Sequence, residues 1–300
     1  MAYFKKNPNN IIMKRIILFL TIILAFLFQL RAQRNIIVEG LIYDSLTNEP
    51  IVYVNIGILG ENIGTVSNEL GEFKFSIPEK DINYNLTFSR IGYFTKHIRI
   101  KEFFNNEKVK IVLSPKITEL QEVTINAKGT KLKTSGNKTK ARSVVLGINS
   151  GSLGRELGTV IHLPDRESFL KDLNFNITVN NPDSAKFRIN IYRFNGEIDT
   201  NVLLENIFFT LKGNQVGVYK VDLSKYNIVL TNDIFLSVET VAVFAKKNKL
   251  ETKNDPFFDR INISGTITGS KSFVRNISLG KWEKIKAFSP GYWITYIDSK

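Results

Sequence analysis

Between Val38 and Leu113 the apolar residues keep a period of two and are cut into short runs by turn residues. Few patterns restrict a fold as strongly. Side chains alternate across a strand, so this period sends one set to a buried face and the other to solvent. Val38-Glu39-Gly40 opens a run to Tyr43, and Asn48-Glu49-Pro50 turns the chain. Val52, Val54, Ile56 and Ile58 share one face of the expected second strand. Gly64-Thr65-Val66-Ser67-Asn68 follows, with a tight turn at Leu70-Gly71. Phe73, Phe75 and Ile77 make the next alternating strand, which Pro78 stops because proline donates no ladder hydrogen bond. Leu86, Phe88 and Ile91-Gly92-Tyr93 continue the unit, and Ile111-Val112-Leu113 closes it. A chain written this way is expected to fold as a small β-sandwich.

In combination, V-x-G at Val38, N-E-P-I at Asn48, V-N-I at Val54, G-T-V-S-N-x-x-G-x-F from Gly64 and I-G-Y at Ile91 resemble the carboxypeptidase-regulatory-like domain. That domain is a transthyretin-like sandwich of seven strands, common in envelope proteins of Bacteroidetes. Leu120-Gln121-Glu122-Val123-Thr124-Ile125 is similar to the segment that joins it to a following module. The family often carries Asp where Asn68 stands; both close the same turn, so only a metal-binding role there is put in doubt. The resemblance implies an exported protein with a non-catalytic accessory module. It does not extend to a peptidase, whose catalysis lies in a separate α/β domain with His and Glu ligands, and no H-x-x-E pair is present.

The N-terminus agrees with export. Lys5, Lys6, Lys14 and Arg15 precede an apolar run from Ile16 to Leu30, and Leu30-Arg31-Ala32 follows the pattern of a cleavage site before Gln33. The run falls short of the roughly 20 apolar residues of a spanning helix. Residues 1–32 are therefore expected to be a signal peptide, and no cysteine follows that would accept a lipid anchor. The expected location is the periplasm, outer membrane or cell surface. The chain holds no cysteine at all, which excludes disulfides, thiolate nucleophiles and Cys-ligated zinc.

The formal net charge is +13, and it falls to +8 once Lys5, Lys6, Lys14, Arg15 and Arg31 leave with the signal segment. Much of the surplus lies in residues 128–142, which carry Lys128, Lys131, Lys133, Lys138, Lys140 and Arg142 with no acid. Gly129, Ser135, Gly136 and Asn137 and the lack of apolar periodicity make this a solvated basic linker between residues 33–127 and 143–300. It is the expected flexible joint, and a point of peripheral contact with an anionic envelope surface. Nucleic acid is not an expected partner, because no stacking aromatics are interleaved with these lysines.

Residues 143–300 also read as strands. Phe175, Ile177 and Val179 alternate; so do Phe187, Ile189 and Ile191 after Asn181-Pro182-Asp183, and Ile234, Leu236 and Val238 within a run to Phe244. Asn195-Gly196, Lys212-Gly213-Asn214 and Asn232-Asp233 supply turns. Thr200 to Ile207 is the one helix candidate. The fold class is thus all-β: a seven-stranded transthyretin-like sandwich followed by a jelly-roll-like sandwich. Gly154-Arg155-Glu156-Leu157-Gly158, the strand Lys186–Tyr192 and Val221-Asp222-Leu223-Ser224 resemble a module that often follows the regulatory-like domain in envelope proteins, for which no activity is implied.

Groups for chemistry are sparse. His97 and His162 fall in different domains, and neither has the convergent neighbours of a metal site or an activated nucleophile. Gly147, Gly151, Gly154 and Gly158 miss every phosphate-loop spacing. Asp44, Glu49, Asn68, Glu69 and Glu72 are candidates for a calcium site at one end of the first sandwich, without the oxygen-rich loop such sites use. Asp44-Ser45-Leu46 and Asp183-Ser184-Ala185 resemble an O-glycosylation pattern in turns. No catalytic residue, metal or cofactor is expected. Trp282, Tyr292 and Trp293 are the candidate ligand-binding residues, as a sugar-stacking platform. The expected function is a non-enzymatic envelope module that binds a protein partner or a glycan. The alternative is an envelope polysaccharide hydrolase with paired acids in the C-terminal domain, for which spacing alone does not pair Glu156 with Asp165.

Overall fold

The computed structural model describes residues 13, 17–21, 34–103, 108–116, 131–149, 151, 153–203, 207–244 and 259–299. Most of the expected signal peptide and Leu120–Ile125 lie outside the described residues. Residues 17–21 are helical, and among the described residues no helix is long and apolar enough to cross a membrane.

The first domain contains β1 Asn35–Asp44, β2 Asn55–Gly57, β3 Gly64–Val66, β4 Glu72–Pro78, β5 Asn85–Ser89, β6 Lys96–Arg99 and β7 Val109–Leu113. They form two sheets, ordered β4-β1-β7 and β3-β2-β5-β6. β1 pairs antiparallel with β4, Val38 opposite Phe75, and parallel with β7, Ile42 opposite Ile111. The alternating positions do the packing: Val38, Ile42, Phe73, Ile77, Leu86, Phe88 and Ile111 share one core. With no disulfide available, stability rests on such side chains, each contributing about 1.5–3 kcal/mol when fully buried. The strand expected through Val52 to Ile58 is shorter than the pattern suggests. Tyr53 has φ 53°, a left-handed conformation that a strand does not contain, and β2 starts only at Asn55. Val54, Ile56 and Ile58 keep to the core, whereas Val52 and Tyr53 turn to a separate cluster with Val66, Phe208, Val241 and Ala242.

The second domain contains β8 Lys133–Gly136, β9 Val145–Ile148, β10 Glu156–Ile161, β11 Ser168–Asn180, β12 Ser184–Phe194, β13 Ile198–Val202, β14 Ile207–Lys212 and β15 Gly217–Asp222. It continues with β16 Val229–Leu230, β17 Ile234–Phe244, β18 Ile261–Thr266, β19 Ser272–Arg275, β20 Glu283–Ile285, β21 Ser289–Pro290 and β22 Trp293–Asp298. One sheet runs β13-β12-β17-β10-β19-β20 with β14 also on β12; the other runs β21-β18-β11-β22-β8, with β15 and β16 also on β11 and β9 on β18. Leu173, Phe175 and Ile177 of one sheet meet Phe187, Ile189, Ile191, Leu236 and Val238 of the other in a single core. The helix expected at Thr200–Ile207 is not formed in its described part: β13 runs to Val202, β14 starts at Ile207, and 204–206 lie outside the described residues.

The basic linker also needs correction. Residues 128–130 are not among the described residues, but β8 pairs with β22, Lys133 opposite Tyr296 and Gly136 opposite Trp293. Asn137 is buried. Its Nδ2 donates to Thr159 Oγ1 and to the Pro290 carbonyl, both at 3.1 Å, and its Oδ1 accepts from the Ser270 amide at 3.1 Å. Residues 133–136 are therefore a strand of the second sheet, and that domain begins before residue 143. Backbone ladder bonds and the polar side chains of Lys133, Ser135 and Asn137 hold this strand, so it leaves no apolar period to read.

Candidate functional site

The expected aromatic platform is not built. Tyr292 is 1% exposed and lies in the sandwich core, edge-on to Phe175 at 6.0 Å between ring centroids. Trp293 starts β22 and is 5% exposed. β22 is an interior strand, paired with β11 on one side and β8 on the other. Trp282 is half-buried on the other sheet, edge-on to Phe235 at 5.0 Å and Tyr192 at 5.9 Å, with the Arg275 guanidinium 4.7 Å from its ring centre. The three rings offer no common free face.

Instead, the outer face of the first-named sheet carries a buried ionic network. Ile189 and Ile191 point to the core, so Arg188, Asn190 and Tyr192 point away from it, beside Glu156, Ser237 and Glu239 on β10 and β17. Arg188 donates to Glu239 Oε2 through Nε at 2.9 Å and Nη2 at 2.7 Å. Asn190 Nδ2 bridges Glu156 Oε1 and Glu239 Oε2, each at 2.9 Å. Tyr192 OH donates to Glu156 Oε1 at 2.7 Å, and Ser237 and Arg275 also donate to Glu156. Both carboxylates are fully buried. Burial alone would raise the Glu156 pKa, but Arg275 and the donors from Ser237, Asn190 and Tyr192 hold it below the usual carboxylate range.

This network is capped by the first domain. Arg188 Nη1 donates to the Tyr53 carbonyl at 3.0 Å, and Nη2 donates to Asn55 Oδ1. Lys186 Nζ reaches Tyr53 OH at 3.1 Å and Glu69 Oε1 at 3.4 Å. The Tyr53 hydroxyl donates to Glu69 at 2.6 Å and, with Lys186, holds that carboxyl low. Tyr53 also packs on Phe208 at 5.4 Å between centroids. The loop after β19 closes a second contact: the Gly60 amide donates to the Leu279 carbonyl at 2.9 Å, and a Cβ on Gly57 or Gly64 would lie 2.8 or 2.6 Å from the Ser278 carbonyl. The glycines of the first-domain motif thus admit the second domain. The domains meet across a packed, polar-centred seam rather than through a flexible joint alone.

The opposite sheet presents an open groove of about 450 Å³ on its outer face. It is lined by Arg142, Val145, Asn176, Ile177, Thr178, Val179, Val216, Gly217 and Asn262. A β-bulge between Ile177 and Val179 shifts the register of β11 against β18, and Thr178 sits within it. Asn176 Nδ2 donates to Ser264 Oγ at 2.8 Å, Thr178 Oγ1 to the Asn262 carbonyl at 3.3 Å, and Arg260 Nε to Asn262 Oδ1 at 2.8 Å. Ser264 Oγ in turn donates to the Ala141 carbonyl at 2.6 Å, which seats the end of the basic segment beside the groove. Of these groove residues, the sequence marked Arg142 only as part of the basic segment and Ile177 and Val179 only as strand residues, and Asn176, Thr178 and Asn262 did not stand out. The available signal was polar Asn174, Asn176 and Thr178 alternating with core Leu173, Phe175 and Ile177.

The remaining candidates are held separately. His97 Nδ1 lies 3.0 Å from Thr87 Oγ1, and exposed His162 lies 2.8 Å from Asp233. Asp44 accepts from the Leu46 and Thr47 amides and from Tyr93 OH, and Asn68 Oδ1 accepts from the Leu70 and Glu72 amides. These acidic and amide groups of the proposed calcium cluster brace turns or the seam, and among the described residues no group of three His, Cys, Asp or Glu is placed to hold a metal. Ser45 is exposed in a turn, whereas Ser184 is paired as the first residue of β12.

Residues 38–125 match the family model of the CarboxypepD_reg-like domain. No curated protein matches the chain. Among solved structures, the cysteine protease and lectin-like domains of Cwp84, a surface layer associated protein of Clostridium difficile, align with a TM-score of 0.35 and 10% identity, covering 54% of this chain and 37% of that one. Infectious bursal disease virus Gt strain aligns with a TM-score of 0.26 and 10% identity, covering 88% of this chain and 78% of that one. The chain spans well under half the length of the Cwp84 chain. Likenesses of this size bear on neither ligand nor partner.

Proposed function

We propose that the protein is an exported, non-catalytic accessory module of the cell envelope that binds a glycan through the outer groove of its second domain. The regulatory-like domain at 38–125 is compatible with an accessory role, and the basic and apolar N-terminal pattern supports export. The observation that carries the reading is the groove itself: an open sheet face where amide, hydroxyl and guanidinium groups lie beside valines, with no carboxylate among the described residues that line it. Such groups bind polyols by hydrogen bonding and supply no acid–base pair. Glycoside hydrolysis needs two accessible carboxyl groups, one with a raised pKa. Glu156 and Glu239 do lie opposite one another on β10 and β17, but both are buried in ion pairs, and Glu156 is held low.

The test is a paired assay on the purified protein, measuring retention on immobilised envelope polysaccharides and release of reducing ends from the same polymers. Retention without release is the expected result. Turnover abolished by one Asp or Glu substitution, or retention on none of the polymers, contradicts the reading.

A further inference from the structure

We propose that the groove takes a carboxylate-bearing glycan, with Arg142 pairing the carboxylate and Asn176, Thr178 and Asn262 binding sugar hydroxyls. This rests on the glycan reading above and adds the ligand's charge and the residue that recognises it. Among the described residues, Arg142 is the only charged one lining the groove. It is exposed, and it makes no ion pair or hydrogen bond among the described residues. A guanidinium presents a planar fork of donors that matches a carboxylate in a bidentate pair. Exposed Lys138 and Lys140 precede it on the same segment, and the stretch 128–142 contains no acid, so the local field favours an anion.

The groove floor supplies the rest. Asn176 uses its Nδ2 on Ser264 and keeps Oδ1, whereas Asn262 uses its Oδ1 on Arg260 and keeps Nδ2. Thr178 donates to the Asn262 carbonyl and keeps its acceptor lone pairs. Donors and acceptors are therefore mixed along one line, as sugar hydroxyls require, since each both donates and accepts. Val145 and Val216 flank them with apolar surface for the C–H faces of a ring. The volume, about 450 Å³, falls within the usual range for small-ligand sites, roughly 300–1,000 Å³. An acidic peptide fits less well, because peptide recognition on a sheet draws on free backbone groups. Here Asn176 is laddered to Val218, and Ile177 to both Gly217 and Ile263.

The test compares binding of polygalacturonate with binding of the same polymer after its carboxyl groups are reduced, using the full protein and the variants Arg142→Gln and Val216→Glu. Both positions are exposed, so the variants are expected to unfold at the same temperature as the parent. The acidic polymer should bind at least about ten-fold more tightly than the reduced one, in keeping with a charge-assisted pair. Arg142→Gln should remove most of that difference by weakening the acidic polymer far more than the reduced one, and Val216→Glu should weaken the acidic polymer selectively. Equal binding of both polymers, unmoved by Arg142→Gln, overturns the carboxylate assignment and leaves the glycan reading in place. Binding of neither, with other envelope polysaccharides still retained, overturns the assignment in the same way. Failure to bind any glycan overturns both. Equally tight, Arg142-dependent binding of anionic vesicles or polyglutamate overturns the glycan in favour of a surface that recognises charge alone.

Discussion

Arg188 shows how burial ranks the interactions of the seam. It is 2% exposed and its partner Glu239 is fully buried, whereas neighbouring Lys186 and Glu69 are 29% and 53% exposed. Removing one member of a buried pair leaves an uncompensated charge and costs about 3–5 kcal/mol, while a solvated pair is worth roughly 0–1 kcal/mol. Arg188→Met is therefore expected to lower the free energy of unfolding by several times as much as Lys186→Met, read from urea midpoints at constant slope. Similar small losses for the two would show that Glu239 finds water or another donor. These residues were only half legible in the sequence. The period of two put Arg188, Asn190 and Tyr192 opposite the core-facing isoleucines, but an outward position in a strand ordinarily means solvent. The first domain, arriving from more than a hundred residues away, covers Arg188, and Trp282 and Arg275 from later in the chain cover Tyr192. The strand expected from Val52 is cut short at the same seam, where Tyr53 takes a left-handed backbone and its carbonyl accepts from Arg188.

At the level of elements, the clearest departure is β8. Apolar periodicity finds strands that bury side chains, and Lys133-Thr134-Ser135-Gly136 bury almost none. This edge strand is held by its ladder to β22 and by the three hydrogen bonds of Asn137. Replacing Asn137 by Ala removes those bonds from buried partners and is expected to cost about 1–3 kcal/mol. Lys138→Ala, at an exposed position, should stay within roughly 0.5 kcal/mol of the parent. Thermal or urea unfolding checks both. An Asn137→Ala variant as stable as the Lys138→Ala variant would restore the view of this stretch as a loose linker. Elsewhere the elements followed the sequence closely. β1, β4, β12 and β17 bury the alternating residues that announced them, and β11 buries Phe175 and Ile177, while after the bulge half-buried Val179 lines the outer groove. Of the helix expected over Thr200–Ile207, the described Val202 instead ends a strand and packs beside Tyr192 and Phe235 on the outer face of its sheet.

For the molecule as a whole, the arrangement divides its surfaces. The outer face of one second-domain sheet is covered by the first domain, by the ionic network and by the aromatic group around Phe235, Tyr192 and Trp282. The outer face of the other sheet keeps the open groove with Arg142 at its margin. The two-sandwich plan was legible because the turn punctuation and periodicity of each domain are local properties. The division of faces was not, because Gly57 and Gly64 read equally well as ordinary turn glycines and Asn176 and Asn262 as ordinary outward polar residues. The proposed glycan reading puts the ligand on the groove and leaves the seam as scaffold. Amide hydrogen exchange of the purified protein with and without envelope polysaccharide tests this most directly. The predicted result is slowed exchange in 140–146, 174–179, 216–218 and 261–264, with 53–57 and 186–190 unchanged. Protection confined to the seam or to the first domain, with the groove strands unaffected, would contradict it.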